Sequence, residues 1–328
     1  MDRVVLNLFP RPPYSFELTA GSATFFRKRY GADIFEDGIF LGPIDIAQGL
    51  CLTQVRSVGT TDSPKLEATV IGKHLSRSSI EQVMQKLSWM LGIDQELRPF
   101  YQFALSHPML KAIIDGLWGM HIPRTASVYE GLIQAILGQQ INSHVAGMLR
   151  RVLVENYGPA IEVDGATYYG FPRPETLSAT DISALRNIKL SARKAEYIID
   201  ISRDVASGKL NLERLRTEPI PEAIRVLSVL RGVGLWTVHW LMIRSLGQRD
   251  GFPHTDLALC RMMGRLAGHA GNVSPEKALK YSERWSPFRS YVTAYLFAAL
   301  RSGHFGELIA QKKGAPRVES PLRRNARR

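Results

Sequence analysis

The chain has 328 residues, about two domains' worth. Its 45% hydrophobic and 22% charged residues are ordinary for a globular protein, which excludes wholesale disorder and fibrous repeats. Forty-two Lys and Arg against thirty Asp and Glu leave a net charge of +12, which points to a polyanionic partner, nucleic acid or a membrane surface.

The opening MDRVVLNLFPRPPYSF carries an acid at once and has no long apolar run, which argues against a cleaved signal peptide. Apolar, β-branched and aromatic runs predict strands over 4–9, 22–30, 38–46, 49–58 and 65–72. Turns are expected at Tyr30-Gly31, Asp37-Gly38 and around Ser63-Pro64. An amphipathic helix follows over 78–93, with Ser78 or Ser79 as its cap. Residues 1–110 therefore read as an α+β domain built on an antiparallel sheet. Two cysteines, Cys51 and Cys260, exclude a disulfide scaffold and a four-cysteine zinc or iron–sulfur site.

Beyond about residue 106 the texture is helical. The stretch 127–158 predicts two helices or one bent helix ending at Gly158. Further helices are expected over 178–188, 191–208, 220–230, 235–246, 255–268, 274–285 and 289–303. Short joins make 111–305 an all-α domain. No run of about 18 apolar residues occurs, so no membrane span is expected. Residues 306–328 read as a disordered tail: 311–328 hold seven basic residues against Glu319, half of the net charge. Such a tail either keeps the chain soluble or touches phosphate non-specifically.

Arg231-Gly232-Val233-Gly234 is all that separates two helical patterns. The glycines permit positive φ and close backbone approach, and Val233 can anchor the turn. Backbone N–H groups at the head of the helix near Leu235 suit a phosphate. Gly232, Val233 and Gly234 thus read as a DNA backbone clamp, or else as a tight αα-hairpin with no ligand. Asp256 follows in Pro253-His254-Thr255-Asp256, where it reads locally as a helix cap or a first-turn carboxylate.

Ile-Leu-Gly-Gln-Gln (136–140), Leu-Arg-Gly-Val-Gly-Leu-Trp-Thr (230–237) and Pro-x-x-Asp (253–256) together resemble the helix–hairpin–helix DNA glycosylase superfamily. Within it, the DNA-3-methyladenine glycosylase II type is the nearest match. The resemblance spans about residues 3–303, including Pro12-Pro13-Tyr14 and the 283–291 segment. It implies a monofunctional hydrolase that releases alkylated purines, 3-methyladenine foremost, from duplex DNA and leaves an abasic site. By the same resemblance Asp256 is the catalytic carboxylate, stabilising an oxocarbenium-like sugar and orienting water. Trp236, Trp240 and Phe297 fall at pocket positions, where aromatic faces attract an electron-poor cationic base.

Two of these residues depart from the pattern. Phe297 stands where tryptophan is expected, and Gln140 where an apolar wedge is usual. Gln140 is expected to fill the gap left by the flipped nucleotide, and Thr237 joins the DNA-binding set. The hairpin carbonyls of Ser228, Leu230 and Val233 match a site for Na+ or K+; no other cofactor is implied. Members that nick the strand use a lysine two residues after the second glycine, and Trp236 stands there. An oxidised-purine glycosylase with lyase activity is the rival enzyme reading. A non-catalytic helix–hairpin–helix DNA binder is the rival of another class. A monomer is expected, resident with the DNA: cytoplasmic in a bacterium, nuclear otherwise.

Overall fold

The structure is a computed structural model and describes residues 1–268, 271–306 and 309. The tail expected over 306–328 lies outside the described residues except at 306 and 309. The N-terminal part runs β1 (Asp2–Leu8), α1 (Phe16–Ala23), β2 (Arg29–Tyr30), β3 (Asp33–Glu36), β4 (Ile39–Ile46), β5 (Gly49–Ser57), β6 (Leu66–Gly72) and α2 (Arg77–Met90). The strands form one antiparallel sheet in the order β1-β6-β5-β4-β3-β2. Alternation puts Phe40, Ile44, Val55, Ala68 and Val70 on one face, where Val83 and Leu87 of α2 cover them. Ser76, not Ser78 or Ser79, caps α2: its hydroxyl accepts from the Ser79 amide at 3.1 Å.

The strand expected over 22–30 does not form. Ser22 and Ala23 end α1, and Phe25 and Phe26 take φ of 57° and 55°. Only Arg29 and Tyr30 join the sheet.

The helical part comprises α3 (Arg98–Leu105), α4 (Pro108–Gly116), α5 (Val128–Gly138), α6 (Ser143–Tyr157), α7 (Pro174–Ser178), α8 (Ile182–Asn187), α9 (Ala192–Ala206), α10 (Ile220–Ser228), α11 (Leu235–Arg244), α12 (Leu257–Leu266), α13 (Pro275–Ser282) and α14 (Arg289–Arg301). It has two apolar centres. One unites α5, α6, α9, α10 and α11; the other unites α3, α4, α12 and α14 around Trp285. The 127–158 stretch is two helices, because Gln140 turns left-handed at φ 57° and Asn142 caps α6. Among the described residues no helix is long and apolar enough to cross a membrane.

A β-hairpin interrupts the helices: β7 (Ala160–Val163) and β8 (Ala166–Tyr169), turning through Asp164-Gly165 at φ 52° and 78°. Ile161 and Val163 pack on Leu52 and Ile71 of the sheet, burying its second face locally. The hairpin thereby ties the two parts together, with Arg3 and Asp164 paired beside it.

Candidate active site

The turn between α10 and α11 uses its two glycines differently. Gly232 has φ 83°, and a Cβ there would meet the Tyr197 ring at 2.1 Å. Gly234 is the N-cap of α11 with φ −101°, so only Gly232 uses the left-handed region expected for both. Among the described residues a Cβ on Gly234 would meet nothing within 4 Å. Gly234 is exposed, and Val233 is buried in the helical core as expected. Among the described residues no side chain caps α11, so the amides of its first turn point outward unpaired at the positive end of the helix dipole. Such a helix head can hold an anion through backbone alone.

Thr237 differs from its expected place. It is 1% exposed, and its hydroxyl accepts from Gln139 Nε2 at 3.2 Å, so only its backbone can serve a partner. Gln139, which the sequence reading passed over, also donates to the Gly232 carbonyl at 2.7 Å. Lys194 Nζ donates to the carbonyls of Leu137 and Gln139, both at 2.8 Å, closing the end of α5. Gln140 is left exposed on this braced turn, where a wedge would stand.

Asp256 fulfils its local reading as a helix cap. It is the N-cap of α12, and Oδ1 accepts from the amides of Ala258 at 2.9 Å and Leu259 at 3.0 Å. Oδ2 accepts from the indole N–H of Trp236 at 2.8 Å. The carboxylate thus spans α11 and α12, half-buried, with Oδ2 keeping lone-pair capacity. Buried Phe252 anchors the approach; its amide donates to His239 Nδ1 at 3.2 Å. Burial lowers His239 to about 4, with the neighbouring His254 adding to the effect. Arg289 is held bidentate by Asp250 at 2.6 and 2.8 Å.

Trp236 and Trp240 stack with centroids 6.5 Å apart, on one face of α11 as their spacing requires. Phe297 of α14 is half-buried, with the Arg301 guanidinium 5.0 Å from its centroid. Among the described residues no ring contact joins Phe297 to either tryptophan. Backbone carbonyls suit a monovalent cation. Among the described residues those of Ser228 and Val233 accept no hydrogen bond, while Leu230 accepts from Val233 N at 3.1 Å and keeps a second lone pair.

Residues 133–287 match the HhH-GPD superfamily of base excision DNA repair proteins. A DNA-3-methyladenine glycosylase of Bacillus subtilis (strain 168) is 32% identical over 220 residues, 67% of this chain and 73% of its own. A solved 3-methyladenine DNA glycosylase from Archaeoglobus fulgidus superposes with a TM-score of 0.79 at 27% identity, covering 92% of this chain and 99% of that one. A Schizosaccharomyces pombe 3-methyladenine DNA glycosylase, solved in complex with abasic DNA, superposes with a TM-score of 0.52 at 27% identity, over 60% of this chain and 94% of that one. This chain belongs to the HhH-GPD superfamily of base excision DNA repair proteins, among relatives named DNA-3-methyladenine glycosylase.

Proposed function

We propose that the protein is a monofunctional DNA glycosylase that hydrolyses the N-glycosidic bond of alkylated purines in duplex DNA. The observation that carries this reading is the Asp256 carboxylate, held by two α12 amides and the Trp236 indole beside the hairpin. A fixed carboxylate at that place can stabilise positive charge on the sugar as the base departs. Oδ2, with one donor, can take the proton of the attacking water. A Schiff base needs an amine, and the position for it holds an indole; Lys194 is committed to two carbonyls.

DNA is the partner. Its phosphates sit at the first turn of α11, with Gly234 allowing close approach. The damaged nucleotide leaves the stack, and Gln140 fills the gap. Na+ or K+ on the carbonyls of Ser228, Leu230 and Val233 would bring positive charge toward the same phosphate.

Base release from methylated duplex DNA tests the reading, with Asp256→Asn beside wild type and products handled so that abasic sites stay intact. The expected result is release by wild type alone, with no strand nick. Equal release by Asp256→Asn, or a nick that borohydride traps, overturns it.

A further inference from the structure

The two most exposed large apolar side chains among the described residues stand beside the candidate site. Val229, at the end of α10, is 75% exposed, and Leu257, the first residue of α12, is 71% exposed. Leu235, the first residue of α11, is 53% exposed. None of the three joins either apolar centre of the helical part. A single exposed leucine needs no explanation. These three share one setting. The hydrogen bond from the Trp236 indole to Asp256 Oδ2 ties the head of α11 to the head of α12. Leu235 is the chain neighbour of one partner in that bond, and Leu257 of the other. Val229 and Leu235 bracket the turn through Gly232 and Gly234.

Apolar surface in water gains when a partner covers it. The chain is basic, at +12, and the uncapped first turn of α11 suits a phosphate. In a nucleic-acid strand a sugar follows each phosphate, so side chains that flank a phosphate site meet sugar faces. The sugar–phosphate strand is thus the occupant that matches the charge and the apolar contacts together. Deoxyribose has a methylene at C2′, where ribose has a hydroxyl that donates and accepts. An aliphatic side chain packs on the methylene and offers the hydroxyl no partner once water has left.

We propose that Leu257, with Leu235 and Val229 beside it, is an apolar sugar contact that favours deoxyribose over ribose at the damaged nucleotide. The inference rests on the proposed function in one respect: Asp256 acts at C1′ of that nucleotide, and C2′ is one bond away. Leu257, next in the chain after Asp256, faces that carbon. Leu235 and Val229 face neighbouring sugars of the same strand. An aliphatic contact rejects an added hydroxyl by up to about 100-fold, which bounds the selectivity.

The test uses the full chain and duplexes carrying one abasic analogue that has no glycosidic bond to cleave. The analogue is either 1′,2′-dideoxyribose or 1′-deoxyribose, which differ only in the 2′-hydroxyl. Fluorescence anisotropy gives affinities for wild type, Leu257→Ala and Leu257→Asn. Leu105→Ala is the control, since Leu105 ends α3 outside the site and is 65% exposed. Wild type should bind the deoxy analogue about tenfold or more tighter than its hydroxyl counterpart. Leu257→Ala should cut that ratio to about threefold or less, mainly by weakening the deoxy complex. Leu257→Asn, whose amide can pair the hydroxyl, should bring the ratio near unity. Leu105→Ala should change neither affinity, and all melting temperatures should stay near wild type. Equal binding of the two analogues by wild type, tighter binding of the hydroxyl analogue, or an equal loss on both in Leu257→Ala overturns the inference. Base release from methylated duplex is measured alongside. A wild type that keeps the preference and releases no base supports the sugar contact and sinks the glycosylase reading alone.

Discussion

The indole N–H of Trp236 and the carboxylate of Asp256 meet at 2.8 Å, joining the helix after the hairpin to the cap of the next helix. The other carboxylate oxygen accepts from two α12 amides, so the helix cap and the indole contact use different atoms of one side chain. Asparagine keeps a cap and loses the charge. Asp256→Asn should lose about 100-fold or more in base release while thermal unfolding shifts little. Asp256→Ala should lose the same activity and about 1 kcal/mol of stability besides. Single-turnover release and thermal melts of both variants separate the two roles.

The two hairpin glycines should fail in different ways. Gly232→Ala forces a Cβ into the Tyr197 ring at positive φ, so it should destabilise the fold by about 1–3 kcal/mol. Among the described residues a Cβ on Gly234 meets nothing within 4 Å, so the melting temperature of Gly234→Ala should stay near wild type while DNA affinity falls. Thermal melts beside fluorescence-anisotropy titrations with an abasic-analogue duplex check both.

Gln139 links the turn that carries Gln140 to the Gly232 carbonyl. Gln139→Leu cuts that link and leaves the Thr237 hydroxyl without this donor. The expected outcome is a several-fold loss of affinity for lesion-bearing duplex and a smaller loss for undamaged duplex. Equal losses on both duplexes would refute a role in placing Gln140.

Glu130 gives a pH test with a definite sign. Burial raises it from 4.5 to about 8, with the Asp33 charge adding to the shift. The folded chain therefore keeps a proton that the unfolded chain releases, and this group lowers stability as pH rises through that window. Glu130→Gln removes the effect, so the stability of the variant relative to wild type should grow from pH 5 to about pH 8. His239 acts in the opposite sense over about 4 to 6.5 and is common to both proteins. Urea unfolding at three pH values reads the difference.

Local features were legible in the sequence because their causes are local. The hairpin at 231–234 declares itself through glycine, and Asp256 through its place ahead of a helical run. The β7–β8 hairpin went unread because Ile161 and Val163 take their meaning from Leu52 and Ile71, far away in the chain. Its Asp164-Gly165 pair was a usable turn signal. The run 22–30 has strand-like composition, but α1 and the left-handed turn at Phe25 override it. Nothing local in Arg150, Arg244 or Arg301 announces that they share the Phe25 ring.

The superfamily match ends before Phe25 on one side and before Arg301 on the other. Within 133–287 lie the uncapped head of α11 and Asp256, while Phe297 lies outside. The carboxylate on α12 and the Phe297 ring on α14 are thus written in different stretches of chain. A substitution at Phe297 therefore leaves the α12 cap made by Asp256 and the turn at Gly232 in place.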